Sequence, residues 1–290
     1  MTPAHNRPVI LLILALTALG FGGAAYWKHG RAQQKQQPEP FNIGSIFMTD
    51  TSRKIKEPCP KDAITFFIIG QSHAANSMRP RTSAESNPQL LNYFNGKCYR
   101  LSDPILGPSD FLGSLWPDFA DELFQHVKKP LIIMDYALNG TSAGEWLPGE
   151  KTIGLMDRAI REAKLYTGQG GKIDYIVFDQ GQRDAMDKTP AETYTAQLTQ
   201  IFDVLQSEIP GEQTFFIHSQ SWCTAYNPPE PYIIEAQAQF AASRDDTVVF
   251  FNSDTLDDSY RHDQCHFNGK GRAIIAQKLV ESVLEKEQKD

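Results

Sequence analysis

The sequence predicts an α/β protein of three layers, with helices on both faces of a central parallel sheet. Short apolar runs, rich in β-branched and aromatic residues, alternate with longer amphipathic ones through most of the chain. Their order, strand then helix repeated, is that of parallel strands joined by crossover helices. Each apolar run also stops at a polar turn, and in such sheets ligands bind beyond the carboxyl ends of the strands.

The first run, Phe66-Phe67-Ile68-Ile69, lies in a strand expected at 64–69 and leads directly into Gly70-Gln71-Ser72. Further strands are expected at 131–136, 175–178, 214–218 and 247–251, and helices at 116–127, 153–165, 191–206, 232–242 and 270–285. The second strand ends at Asn139-Gly140-Thr141-Ser142, the third at Asp179-Gln180-Gly181-Gln182-Arg183-Asp184 and the fourth at Ser219-Gln220-Ser221-Trp222. The segment after the fifth reaches Asp263-Gln264-Cys265-His266.

Ahead of this region, residues 8–27 run without a charge for about the length a helix needs to cross a hydrocarbon core of roughly 30 Å. They are expected to form an uncleaved transmembrane anchor, with Tyr26 and Trp27 at its interface. A cleaved signal peptide, with Arg7 closing its charged region and Ala24-Ala25 near the cleavage site, is the rival. Residues 30–41 are polar, glutamine-rich and proline-bearing, and read as a linker. The expected layout is therefore a tail and anchor at 1–29, a linker and lead-in at 30–60, and the α/β domain at 61–290.

With 41% hydrophobic residues the 290-residue chain can bury a full core, and its net charge of -7, with no basic cluster, speaks against nucleic-acid binding. The four cysteines suit an oxidising compartment, periplasmic or extracellular, and allow three pairings. Cys59 with Cys98 and Cys223 with Cys265 is the expected set, because each pair would tie segments flanking the same strand-end site. Without C-x-x-C spacing they do not suggest a zinc site, and no metal or cofactor is expected.

The strand ends supply what acyl transfer requires. Ser72 is a nucleophile that needs a base to take its proton, and His266 is the candidate. Asp263, three residues earlier, is placed to accept from the histidine Nδ1 and hold its tautomer. His262, Asp257 and Asp258 are local competitors for these roles. Backbone N–H groups of Ser72 and Gly140, with the Gln180 side-chain amide, are the candidate oxyanion donors. Trp146, Trp222 and Tyr226 are candidate platforms for sugar rings.

Taken in order, these residues resemble the blocks of the SGNH hydrolase superfamily, and most closely the branch of sialate O-acetylesterases and acetylxylan esterases. That branch shows Gly-Gln-Ser-Asn, Gly-Gly-Thr-Ser-x-x-x-Trp, Gln-Gly-Glu-x-Asp and Asp-x-x-His-Phe. Here they stand as Gly70-Gln71-Ser72-His73, Asn139-Gly140-Thr141-Ser142-Ala143-Gly144-Glu145-Trp146, Gln180-Gly181-Gln182-Arg183-Asp184 and Asp263-Gln264-Cys265-His266-Phe267. Gly107-Pro108-Ser109, followed by a helix with Phe119, Ala120 and Leu123, is similar too, so the likeness spans roughly 64–279. It implies a flavodoxin-like α/β/α fold and a catalytic Ser72, His266 and Asp263, with Gly140 and Gln180 as oxyanion donors and no metal or cofactor.

It also implies an acetylated carbohydrate as substrate, with Gln71, His73, Arg183 and Trp146 expected to contact it. The departures are His73 for asparagine, Gln182 for glutamate, and Arg183 where the wider superfamily has an oxyanion-hole asparagine. The expectation is thus a membrane-anchored esterase outside the cytoplasm that removes O-acetyl groups from carbohydrate. The alternatives are a non-catalytic glycan-binding module on the same fold and an O-acyltransferase using the same triad.

Overall fold

The computed structural model describes residues 46–150 and 153–288. The expected anchor at 8–27 and linker at 30–41 lie outside the described residues, among which no helix is long and apolar enough to cross a membrane.

Eight strands form one sheet: β1 (Lys56–Glu57), β2 (Ile64–Gly70), β3 (Leu90–Phe94), β4 (Lys97–Arg100), β5 (Leu131–Asp135), β6 (Tyr175–Gln180), β7 (Thr214–Ser219) and β8 (Thr247–Asn252). Their spatial order is β1-β4-β3-β5-β2-β6-β7-β8. From β3 to β8 every neighbouring pair is parallel, while β4 and β1 add an antiparallel edge. The run β5-β2-β6-β7-β8 has the flavodoxin-like order, in which the first strand is central and the chain reverses direction beside it. The carboxyl end of β2, which leads to Ser72, therefore stands at the topological switch point.

Strand β2 is buried on both faces, and its period of two sends successive side chains to opposite layers. Phe66 and Ile68 pack with Trp116, Phe119 and Leu123 of helix α1 (Trp116–Val127) and with Ile275 and Leu279 of helix α6 (Gly269–Glu287). Phe67 and Ile69 face the other cluster. It is built from α2 (Leu155–Gly168), α4 (Ala191–Glu208) and α5 (Pro231–Ala242), through Ala159, Phe202 and Phe240 among others. Each fully buried aromatic or aliphatic side chain contributes about 1.5–3 kcal/mol. This double layer is what holds β2, and hence the turn after it, in place.

All five expected strands and five expected helices are present. Not anticipated were strand β1, the β3–β4 hairpin, the short helix α3 (Gln182–Met186) and three 3-10 turns at Ala143–Trp146, Ser253–Thr255 and Asp258–Tyr260. The expected cysteine pairs also form, Cys59 with Cys98 and Cys223 with Cys265. The first of these, strand β1, and the stacking of Arg158 on Phe47 at 3.6 Å join the 46–60 stretch to the α/β unit.

Candidate active site

Strand β2 ends where its backbone passes closest to β6. Gly70 has φ +144°, and a Cβ there would lie 2.1 Å from the Asp179 carbonyl oxygen, so only glycine fits. The next N–H, of Gln71, donates to the same oxygen at 2.8 Å. The chain then turns, leaving Ser72 at 6% exposure and its hydroxyl without a hydrogen-bond partner among the described residues.

Beside this turn, the Leu138 N–H donates to the Gly70 carbonyl at 2.9 Å and so holds the loop after β5 against β2. That loop exposes Gly140 at φ +71°, with open space where a side chain would stand. Neither the Ser72 nor the Gly140 backbone N–H donates to any group among the described residues. Both remain available to an oxyanion.

The Asp263-x-x-His266 segment closes on itself. Asp263 Oδ1 accepts the backbone N–H groups of Cys265 at 3.1 Å and His266 at 2.7 Å, while its Oδ2 lies 2.8 Å from His266 Nδ1. Burial pushes the Asp263 carboxyl up, but its bonds from the His266 ring and backbone outweigh this and hold it below the usual value. Among the described residues, His266 Nε2 has no hydrogen-bond partner.

The competitors are committed elsewhere. His262 Nε2 lies 3.0 Å from the Ser77 carbonyl, and its Nδ1 is 3.7 Å from Asp263. Asp257 accepts from Ser259, and Asp258 accepts from the Thr224 hydroxyl. His262, Asp263 and His266 do bring metal-type donor atoms within 4.8 Å of one another. However, with His262 Nε2 and His266 Nδ1 both engaged, the set is arranged as a hydrogen-bonded pair.

His73, expected to contact substrate, is instead buried beneath the site. One ring nitrogen meets Gln220 Oε1, and the other lies 3.1 Å from the Cys265 carbonyl oxygen. Burial, aided by nearby Arg261 and His266, lowers the ring's pKa well below the usual histidine range. Its centroid is 5.7 Å from that of His266, edge to face, which fixes the spacing between the Ser72 turn and the histidine loop. Behind it, the Gln220 amide donates to Asp179, which also holds His218 Nδ1 at 2.7 Å.

Three further expected site residues also turn inward. Gln180 is buried, and its amide nitrogen donates to the Thr141 carbonyl and, at 3.1 Å, to Asp184, so it braces the Gly140 loop and presents no free oxyanion donor. Gln71 is buried and spends its amide on Gln182 Oε1 at 2.6 Å. Trp146 is a core side chain whose indole N–H donates to Thr141 Oγ1 at 3.2 Å. Of the expected substrate contacts only Arg183 is exposed, held by Asp187 at 2.7 Å and reaching the Gly140 carbonyl at 3.4 Å.

Sequence reasoning missed Arg261. It is buried, donates to the Cys265 carbonyl, and stacks 4.4 Å from Phe267 and 4.8 Å from Trp222. One face of the half-buried Trp222 is thus taken by Arg261. The available signal was an arginine two residues before the Asp-x-x-His segment, where a buried cation must be matched by acceptors.

The fold is shared with solved structures of low identity. A protein of Arabidopsis thaliana superposes with a TM-score of 0.61 at 15% identity over 78% of this chain and 99% of its own. NanS does so with a TM-score of 0.50 at 12% identity over 81% of this chain and 100% of its own. None of the curated proteins matches the chain. The three-layer α/β sheet is that of the SGNH hydrolases. Residues 112–285 match the model of the family described as carbohydrate esterase, sialic acid-specific acetylesterase, and the chain belongs to that family. It is accordingly a carboxylic ester hydrolase.

Proposed function

We propose that the protein removes O-acetyl groups from carbohydrate through an acyl-serine intermediate. Ser72 Oγ attacks the acetyl carbonyl carbon while His266 Nε2 takes its proton. Asp263 stays ionised and stabilises the imidazolium. The backbone N–H groups of Ser72 and Gly140 receive the oxyanion. As the tetrahedral adduct collapses, His266 returns the proton to the departing sugar oxygen and the acetyl group remains on Ser72. Water, deprotonated by His266, then releases acetate and restores the serine. Arg183, at the rim beside Gly140, is the side chain placed to meet the sugar.

The observation that carries this reading is the 2.8 Å contact between Asp263 and His266 Nδ1, with His266 Nε2 left open on the same sheet edge as Ser72. Two disulfides support a place outside the cytoplasm, and the uncharged 8–27 run supports a membrane tether with the α/β domain beyond a linker.

Ser72→Ala should abolish acetate release from acetylated carbohydrate and from p-nitrophenyl acetate, with an unchanged circular dichroism spectrum. Retained hydrolysis by that variant would refute the assignment.

A further inference from the structure

Among the described residues, the large hydrophobic side chains left exposed include two aromatics, Phe111 at 46% and Tyr226 at 68%. Both stand on the strand-end edge, on opposite sides of Ser72. Phe111 follows Asp110, whose carboxylate accepts from Asn139 Nδ2 at 3.1 Å, next to Gly140 on the β5 side. Tyr226 lies in a turn closed by its N–H on the Cys223 carbonyl at 2.8 Å. The Cys223–Cys265 disulfide fastens that turn, on the β7 side, to the residue before His266. Strands β2 and β6 stand between, and at about 4.8 Å per strand three intervals separate the two sides by roughly 14 Å. That is wider than one sugar ring.

On the Phe111 side the surface dips into a cavity of about 670 Å³. Arg53, Arg81, Asp50 and Glu85 line it. Arg81 donates to the Phe111 carbonyl, so the ring and the cavity wall are set together. The lining mixes cations and carboxylates in near balance, which suits hydroxyl groups as donors and acceptors. It suits neither a polyanion nor an acyl tail. Exposed aromatic faces and paired polar groups are what pyranose rings use, since one side of the ring is apolar and its rim is hydroxylated.

We propose that the site takes an extended glycan chain. In this arrangement units on either side of the acetylated sugar rest on Phe111 and Tyr226, and the Phe111 side continues into the cavity. This rests on the esterase reading and narrows its substrate to an O-acetylated oligo- or polysaccharide.

The test assays the chain and its Phe111→Ala and Tyr226→Ala variants on two neutral polymers, acetylated xylan and acetylated glucomannan, and on the acetylated monosaccharide of each. The wild type should have a lower KM for at least one polymer than for its monosaccharide. Each variant should raise that polymer KM roughly two- to tenfold relative to its monosaccharide KM, the range an aromatic contact supplies. Equal KM values for polymer and monosaccharide in every pair, or variants that move both alike, would overturn the proposal. A wild type that released no acetate from any of these substrates would instead mark failure of the esterase reading.

Discussion

Asp263 divides its two oxygens between two tasks. Oδ1 shapes the turn by taking two backbone N–H groups, and Oδ2 faces the ring of His266 at 2.8 Å. Its carboxyl is depressed in the folded chain, so the folded state binds fewer protons there than the unfolded one. The stabilisation is complete above the ordinary carboxylate value of 3.8 and is lost as pH falls through the lowered one. The pair therefore keeps its charge through neutral and mildly acidic conditions. Asp263→Asn would preserve an oxygen for the turn but offer an amide N–H toward His266 Nδ1, which favours the tautomer that cannot accept from Ser72. We expect kcat to fall by roughly 10⁴-fold with KM little changed. Steady-state kinetics on p-nitrophenyl acetate check this, and a loss below tenfold would mean that another group orients the ring.

At the level of elements, the strands buried on both faces were the most legible part of the sequence. A run such as Ile64–Gly70 has no polar face to disguise it. The edge hairpin was harder, because Asn92 and Arg100 interrupt its apolar pattern. Its turn, Asn95-Gly96, nonetheless carries the residues that two successive positive φ angles, 48° and 78°, demand. The site was legible in its spacing but not in its facing. Gly140 and the Asp263/His266 pair open to the surface beside a nearly buried Ser72, whereas His73, Gln71, Gln180 and Trp146 turn inward, and residue type alone does not encode which way a turn presents a side chain.

What holds the histidine loop is a second lesson at this scale. The Cys265 carbonyl is gripped by His73 and Arg261, while the Cys265 sulfur is bonded to Cys223. Replacing both cysteines by serine frees a loop of 42-residue separation in the unfolded chain, worth about 4 kcal/mol on the loop-entropy model. Thermal unfolding should shift down accordingly. Acetate release should fall at temperatures where the variant is still folded, because His266 adjoins the released residue. Full activity in a folded double variant would show that His73 and Arg261 suffice.

Over the whole molecule, the net charge of -7 is spread, and the α/β unit is closed at its antiparallel edge by the segment that precedes it. Lys54 fastens that segment. Its ammonium donates to the carbonyls of Ser102 at 2.6 Å and Pro104 at 2.8 Å and to the Ser102 hydroxyl at 2.9 Å. Burial lowers it from 10.5 to about 8, against the pull of Asp103 and Glu85. Between about 8 and 10.5 the folded chain therefore holds fewer protons at this position than the unfolded chain. The Lys54 contribution to stability must rise with pH across that window and be flat below it. Urea unfolding of the wild type and of Lys54→Met at pH 7, 8, 9 and 10 isolates the effect as the difference between two curves. That difference should be constant from pH 7 to 8 and should shift in favour of the wild type at pH 9 and 10. Parallel curves throughout would mean that the hydrogen bonds to Ser102 and Pro104 keep the amine charged despite its burial.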